Sequence, residues 1–144
     1  MDVATAGQIA QLLNKRNELT RKYSATMVLD HAESYLYLKQ EAEVLACIRL
    51  SRVQWYQVEI HHLTVAETYE GRGYGRKLVR RALTQAMEKG ARIAQCTIRE
   101  GNIRSEGLFV SEGFARTSAF FNQMSGNTVF VLQKALVLPQ TEVK

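Results

Sequence analysis

Apolar residues recur at three- and four-residue spacing at Leu78, Val79, Ala82, Leu83, Ala86 and Met87, with Arg76, Lys77, Arg80 and Arg81 falling outside that stripe. This is one apolar face of a helix, closed by Lys89 in its last turn and by Gly90 after it. Upstream, Val58, Ile60, Leu63 and Val65 predict a strand over residues 57–65. Between strand and helix stands Glu70-Gly71-Arg72-Gly73-Tyr74-Gly75, three glycines in five residues. The same reading predicts a weak strand at residues 2–4 and helices at 7–14 and 18–24. Residues 34–39 and 43–52, rich in Tyr, Leu, Val and Ile, form a hairpin around Gln40-Glu41-Ala42. A strand at 92–99 follows, then a short helix capped by Asn102 or Ser105 and running to about residue 112. Strands at 116–122 and 128–134 close as a hairpin across Ser125-Gly126-Asn127. The fold class is α+β, a mixed α/β chain.

The 144 residues, 46% hydrophobic and 23% charged, suffice for one compact domain over residues 1–137 with a polar tail at 138–144. No apolar run approaches a membrane span and no cationic leader opens the chain, so a cytoplasmic protein without membrane partners is expected. Cys47 and Cys96 lie in apolar strand-like runs without a CxxC pair or a His cluster. They read as buried reduced thiols, and no metal site is visible. The net charge of +5 gathers around the basic helix at Arg72, Arg76, Lys77, Arg80 and Arg81. A solvated helix face accounts for most of it. Without a recognised nucleic-acid motif or interleaved aromatics, no nucleic-acid partner is expected.

The glycine loop carries the chemistry. Glycine reaches positive φ without penalty, so backbone N–H groups can close on a ligand. The first turn of the new helix adds unpaired donors and the positive end of its dipole. A dinucleotide loop needs Gly-x-Gly-x-x-Gly, and position 76 is arginine. A Walker loop needs Gly-Lys-Ser or Gly-Lys-Thr, and Gly75-Arg76-Lys77 lacks the hydroxyl that would hold magnesium. What remains is a short cradle for a pyrophosphate without a metal, with Arg72 and Arg76 nearest for phosphate contacts.

At these residues the chain resembles the GNAT superfamily of N-acetyltransferases, whose acetyl-CoA motif reads Arg/Gln-x-x-Gly-x-Gly/Ala between a central strand and a helix. Gly73 and Gly75 match its two key glycines. The resemblance extends through Ile60-His61-His62-Leu63-Thr64-Val65 before the loop, and through Asn102, Ser105, Leu108, Phe109, Gly113 and Phe114 after the helix. It implies a mostly antiparallel mixed sheet of six to seven strands with helices on both faces. It also implies acetyl-CoA as cosubstrate, held by Leu63, Thr64, Val65, Glu70, Gly71, Arg72, Gly73, Tyr74, Gly75, Arg76, Asn102, Ser105 and Phe109. The expected acceptor is an amine on a small molecule or a protein, and the chain is expected as a monomer or homodimer. Two positions depart from the pattern. Glu70 replaces the usual Arg or Gln and is expected to point to solvent, Arg72 or Arg76. Phe109 replaces the tyrosine that serves many members as general acid.

Acetyl transfer to nitrogen requires a neutral amine, and for a lysine-like group this costs about 4.6 kcal/mol at pH 7. A base therefore matters most. Glu59, on the strand before the loop, resembles the catalytic glutamate of the histone-acetyltransferase branch. His61 shares its strand face and is the second candidate; the adjacent His62 must face the other way. The resemblance assigns the oxyanion to a backbone N–H near Leu63. A CoA thiolate lies only about 2 kcal/mol above its thiol at pH 7, so Phe109 does not exclude catalysis. The alternative is a non-catalytic acyl-CoA-binding or protein-interaction module. The aromatic residues Trp55, Tyr56, Phe120 and Phe121 are expected in core packing or edge cover before an acceptor pocket.

Overall fold

The computed structural model describes residues 1–17 and 21–137. Six strands, β1 (Tyr35–Gln40), β2 (Glu43–Gln54), β3 (Gln57–Val65), β4 (Ile93–Arg99), β5 (Ala115–Asn122) and β6 (Asn127–Ala135), form one sheet in the order β1-β2-β3-β4-β6-β5. β3 and β4 pair in parallel, whereas β1–β2, β4–β6 and β5–β6 are antiparallel. Among the described residues, four α-helices accompany the sheet: α1 (Val3–Arg16), α2 (Ala25–Leu29), α3 (Tyr74–Glu88) and α4 (Ile103–Ser111). The mixed α+β class and the six-stranded count agree with the sequence expectation.

Two local expectations fail at the N-terminus. Residues 2–4 do not form a strand. The Asp2 carboxylate accepts the Thr5 N–H at 2.8 Å and starts α1 at Val3, four residues before the expected helix. The helix expected at 18–24 is also displaced: residues 18–20 lie outside the described residues, residues 21–24 are not helical, and Ser24 caps α2 instead, its hydroxyl accepting from Met27 N–H at 3.2 Å. The expected tail at 138–144 likewise lies outside the described residues.

The chain divides into two compact units. The first, residues 1–50 and 62–82, has a core of Ile9, Leu13, Val28, Tyr35, Val44 and Cys47, into which α1 turns its apolar face. The second, residues 51–61 and 83–144, buries Val58, Ile60, Ala94, Cys96, Ile98 and Leu132 from its strands and Phe109 and Phe114 from the α4 region. Both cysteines are free and buried, and burial pushes each thiol up to about 12. Trp55, Phe120 and Phe121 are 73%, 48% and 62% exposed, so of the two expected places, core packing or edge cover, the core is excluded for these three. Phe120 and Phe121 lie on β5, an edge strand whose residues are exposed along nearly its whole length.

Candidate functional site

Within the first unit, the last four residues of β3, 62–65, run into the glycine loop and the start of α3. Gly71 and Gly73 have φ of +76° and +82°, the left-handed region, and a Cβ built on either meets no atom within 4 Å. The chain thus uses the freedom of glycine here and leaves the space beside both residues open. Gly73 O accepts the Lys77 N–H at 3.0 Å, so the peptide dipoles of α3 align directly behind the loop. An anion at this point meets the first-turn N–H groups of α3. Leu78, Val79, Ala82 and Leu83 are buried, as the apolar stripe predicts, and hold the helix in place.

The charged groups at the loop include a partner for Glu70 that the sequence did not suggest. Glu70 is bonded by the Arg16 guanidinium at the end of α1, and the same guanidinium lies 3.7 Å from Glu67. Arg72 stacks over the Tyr69 ring at 5.2 Å. Tyr69 in turn donates its hydroxyl proton to Glu43 at 3.2 Å.

At the end of β3, His62 adopts φ +54°, which interrupts the regular alternation of the strand. Its Nε2 lies 2.8 Å from the Tyr23 hydroxyl, and the two rings meet edge to face at 5.4 Å. Burial, with the nearby Arg49 charge second, holds the imidazole below its usual pKa, so it is neutral at pH 7. Thr64 donates to the His62 carbonyl at 3.0 Å and accepts from the Asn17 amide at 3.1 Å, tying this irregular strand end to α1. Tyr35 and Arg49 are register partners across β1 and β2, and the Tyr35 hydroxyl and Arg49 Nε are both buried without a hydrogen-bond partner among the described residues. The Tyr23–His62 pair escaped the sequence reading. Tyr23 falls in a stretch expected to be helical, and strict alternation took no account of a positive φ.

The second unit holds Glu59. Gln95, its register partner on β4, donates to Glu59 Oε1 at 3.0 Å; Gln133, the partner of Gln95 on β6, donates to Gln95 Oε1 at 2.6 Å. One carboxylate therefore ends a row of oriented amides across three strands. Burial raises the Glu59 pKa and the Gln95 bond opposes the rise, leaving a carboxyl closer to neutrality than an exposed one. His61 shares the half-buried positions of β3 with Glu59, and its Nε2 lies 2.7 Å from the Ser51 hydroxyl. Neither glutamine stood out in sequence; only the strand register brings them together. Asn102 caps α4 by accepting the Ser105 N–H at 3.3 Å. Phe109 is 3% exposed and packs edge-on against Phe114 at 5.1 Å. Among the described residues, no group of His, Cys, Asp or Glu is placed to hold a metal ion.

The family profile described as Acetyltransferase (GNAT) family matches residues 8–114. The chain belongs to the GNAT family. No curated protein matches it in sequence. Solved structures of similar fold surround this GNAT chain. The ribosomal-protein-alanine N-acetyltransferase of Brucella melitensis superposes with TM-score 0.83 at 18% identity, over 94% of this chain and 97% of the other. For yncA of Salmonella typhimurium, solved with its cofactor acetyl-CoA, the values are 0.82, 20%, 98% and 94%. For the NatC complex, solved with Gag peptide and CoA, they are 0.80, 19%, 95% and 96%. At these identities the likeness establishes the GNAT fold alone. No helix among the described residues is long and apolar enough to cross a membrane.

Proposed function

We propose that this GNAT chain is an N-acetyltransferase that moves acetyl from acetyl-CoA directly to an α-amino group, as on a protein N-terminus. The observation that carries the reading is the open glycine loop, with Gly71 and Gly73 at positive φ ahead of α3. The residues present fit the cosubstrate. Backbone N–H groups at Gly73, Tyr74, Gly75 and Arg76 receive the pyrophosphate, Arg72 and Arg76 add charge, and the backbone of Leu63, Thr64 and Val65 takes the rest of the arm. Acetyl-CoA supplies the activated acyl thioester.

Glu59 acts as general base, with His61, two residues further along β3, as the alternative. An α-amine with pKa near 8 loses its proton at pH 7 for about 1 kcal/mol, against about 4.6 for a lysine, so a half-buried carboxylate suffices. Two neighbours support that acceptor class, since one is named for ribosomal-protein alanine and another was solved with a peptide. Asn102 and Ser105 keep the capping role described above, and Phe109 a packing role. The test is CoA release by the purified protein over a panel of peptides with free or blocked N-termini, free lysine analogues and polyamines. Release with free N-termini is expected. Tight CoA binding without release to any amine favours the non-catalytic module, for which the absence of a phenol at position 109 speaks.

A further inference from the structure

Glu70 opens the glycine loop, and a carboxylate at the mouth of an anion cradle repels the ligand that the cradle is shaped for. The structure shows how this chain meets the conflict. Arg16, the last residue of α1, bonds Glu70 Oε1 through Nη2 and turns Nη1 toward Glu67 Oε2 at 3.7 Å. The Arg16 and Glu70 side chains are only 30% and 24% exposed, so water screens the pair incompletely, whereas Glu67 at 72% is well solvated. Arg72, which might have neutralised Glu70 from within the loop, is instead stacked on Tyr69.

We propose that Arg16 is a cofactor-positioning residue: it draws the Glu70 carboxylate toward α1 and offsets the negative charge that Glu70 brings to the first position of the loop. The ligand class is a diphosphate ester, and the proposal rests on the reading that the loop holds the CoA pyrophosphate. The charge count gives it a distinctive signature. Arg16, Glu67 and Glu70 together carry one net negative charge. Removing Arg16 leaves two, and removing the Glu70 charge as well returns the count to one. A residue that merely propped the end of α1 would show no such compensation.

The experiment is titration calorimetry with CoA and with dephospho-CoA at low salt, on wild type, Arg16→Gln, Arg16→Lys, Glu70→Gln and the Arg16→Gln/Glu70→Gln double variant, each checked by circular dichroism. Arg16→Gln is expected to bind about tenfold more weakly, with both ligands alike, and the loss to shrink in high salt. Arg16→Lys keeps the charge and should stay within about threefold of wild type. Glu70→Gln alone should hold or tighten binding, and the double variant should recover to within about threefold of wild type. Wild-type affinity in Arg16→Gln, a double variant as weak as Arg16→Gln, or weakened binding in Glu70→Gln overturns the proposal. If Arg16→Gln does not fold, the Glu70→Gln result decides alone. Absence of CoA binding by the wild type refutes the loop assignment instead.

Discussion

Replacing Gly73 by alanine separates what the loop conformation costs from what it binds. At φ +82° an L-residue carries a strain of about 1–2 kcal/mol. The new Cβ meets nothing within 4 Å, so no packing clash adds to that figure. Gly126 in the β5–β6 turn offers a matched control: its φ is +76°, its added Cβ also meets nothing, and its N–H is bonded to Asn122 O at 2.8 Å. Gly73→Ala and Gly126→Ala should therefore each lower stability by about 1–2 kcal/mol, or roughly 3–8 °C in Tm. Only Gly73→Ala puts a methyl group in the space assigned to the pyrophosphate, where it blocks approach of the phosphate oxygens to backbone N–H groups. Loss of two or three charge-assisted hydrogen bonds implies at least a hundredfold weaker CoA binding. Thermal unfolding and titration calorimetry on the two variants make the comparison. CoA affinity unchanged in a folded Gly73→Ala, or reduced equally in Gly126→Ala, would refute the assignment of the loop.

Glu59→Gln should lower turnover by about a hundredfold with little change in CoA affinity. It should also raise stability at pH 7. The folded pKa of Glu59 is raised, so its stabilising contribution is full below the unfolded value and is lost as pH rises through the folded one; the advantage of glutamine should shrink toward pH 4 in pH-dependent denaturation. Wild-type turnover in this variant, with loss in His61→Ala, moves the base to the histidine. Phe109→Tyr adds a hydroxyl to a side chain that is 3% exposed against Phe114, so Tm should fall by several degrees unless the phenol finds a partner. A Tm held at the wild-type value with faster CoA release at low pH would show that position 109 opens onto the thioester.

The parts legible in sequence were those written in local pattern. The period of α3, the three clustered glycines and the alternating strands each depend on neighbours within a few residues, and the structure reproduces them. The misplaced elements turn on single side chains. Asp2 caps a helix whose first residues, Val3 and Ala4, look strand-like in isolation, and Ser24 begins a helix where another was expected to end. Residues brought together by register or by an unusual dihedral were invisible: Gln95 and Gln133 beside Glu59, Tyr23 beside His62, Arg16 beside Glu70. The burial of Phe109 and the exposure of the β5 aromatics were equally hidden, because apolar character does not say which face of an edge strand or short helix is covered.

The row of amides ending at Glu59 ties its environment to the order in which the chain is made. Gln95 stands 36 residues beyond Glu59, and Gln133 a further 38 beyond Gln95. Contacts of such separation close late, because the loop entropy must be met before they form. A ribosome-bound chain that has released the glycine loop and α3 can already present the elements of the anion cradle, yet its carboxylate lacks the amide that orients it and the second amide that orients the first. Strand β6 supplies the last link, and a slip of one residue in its pairing would turn Gln133 to the opposite face of the sheet. Under the proposed assignment of loop and base, cosubstrate affinity and proton-abstracting competence should thus mature at different moments of synthesis, the second only when the final hairpin has docked.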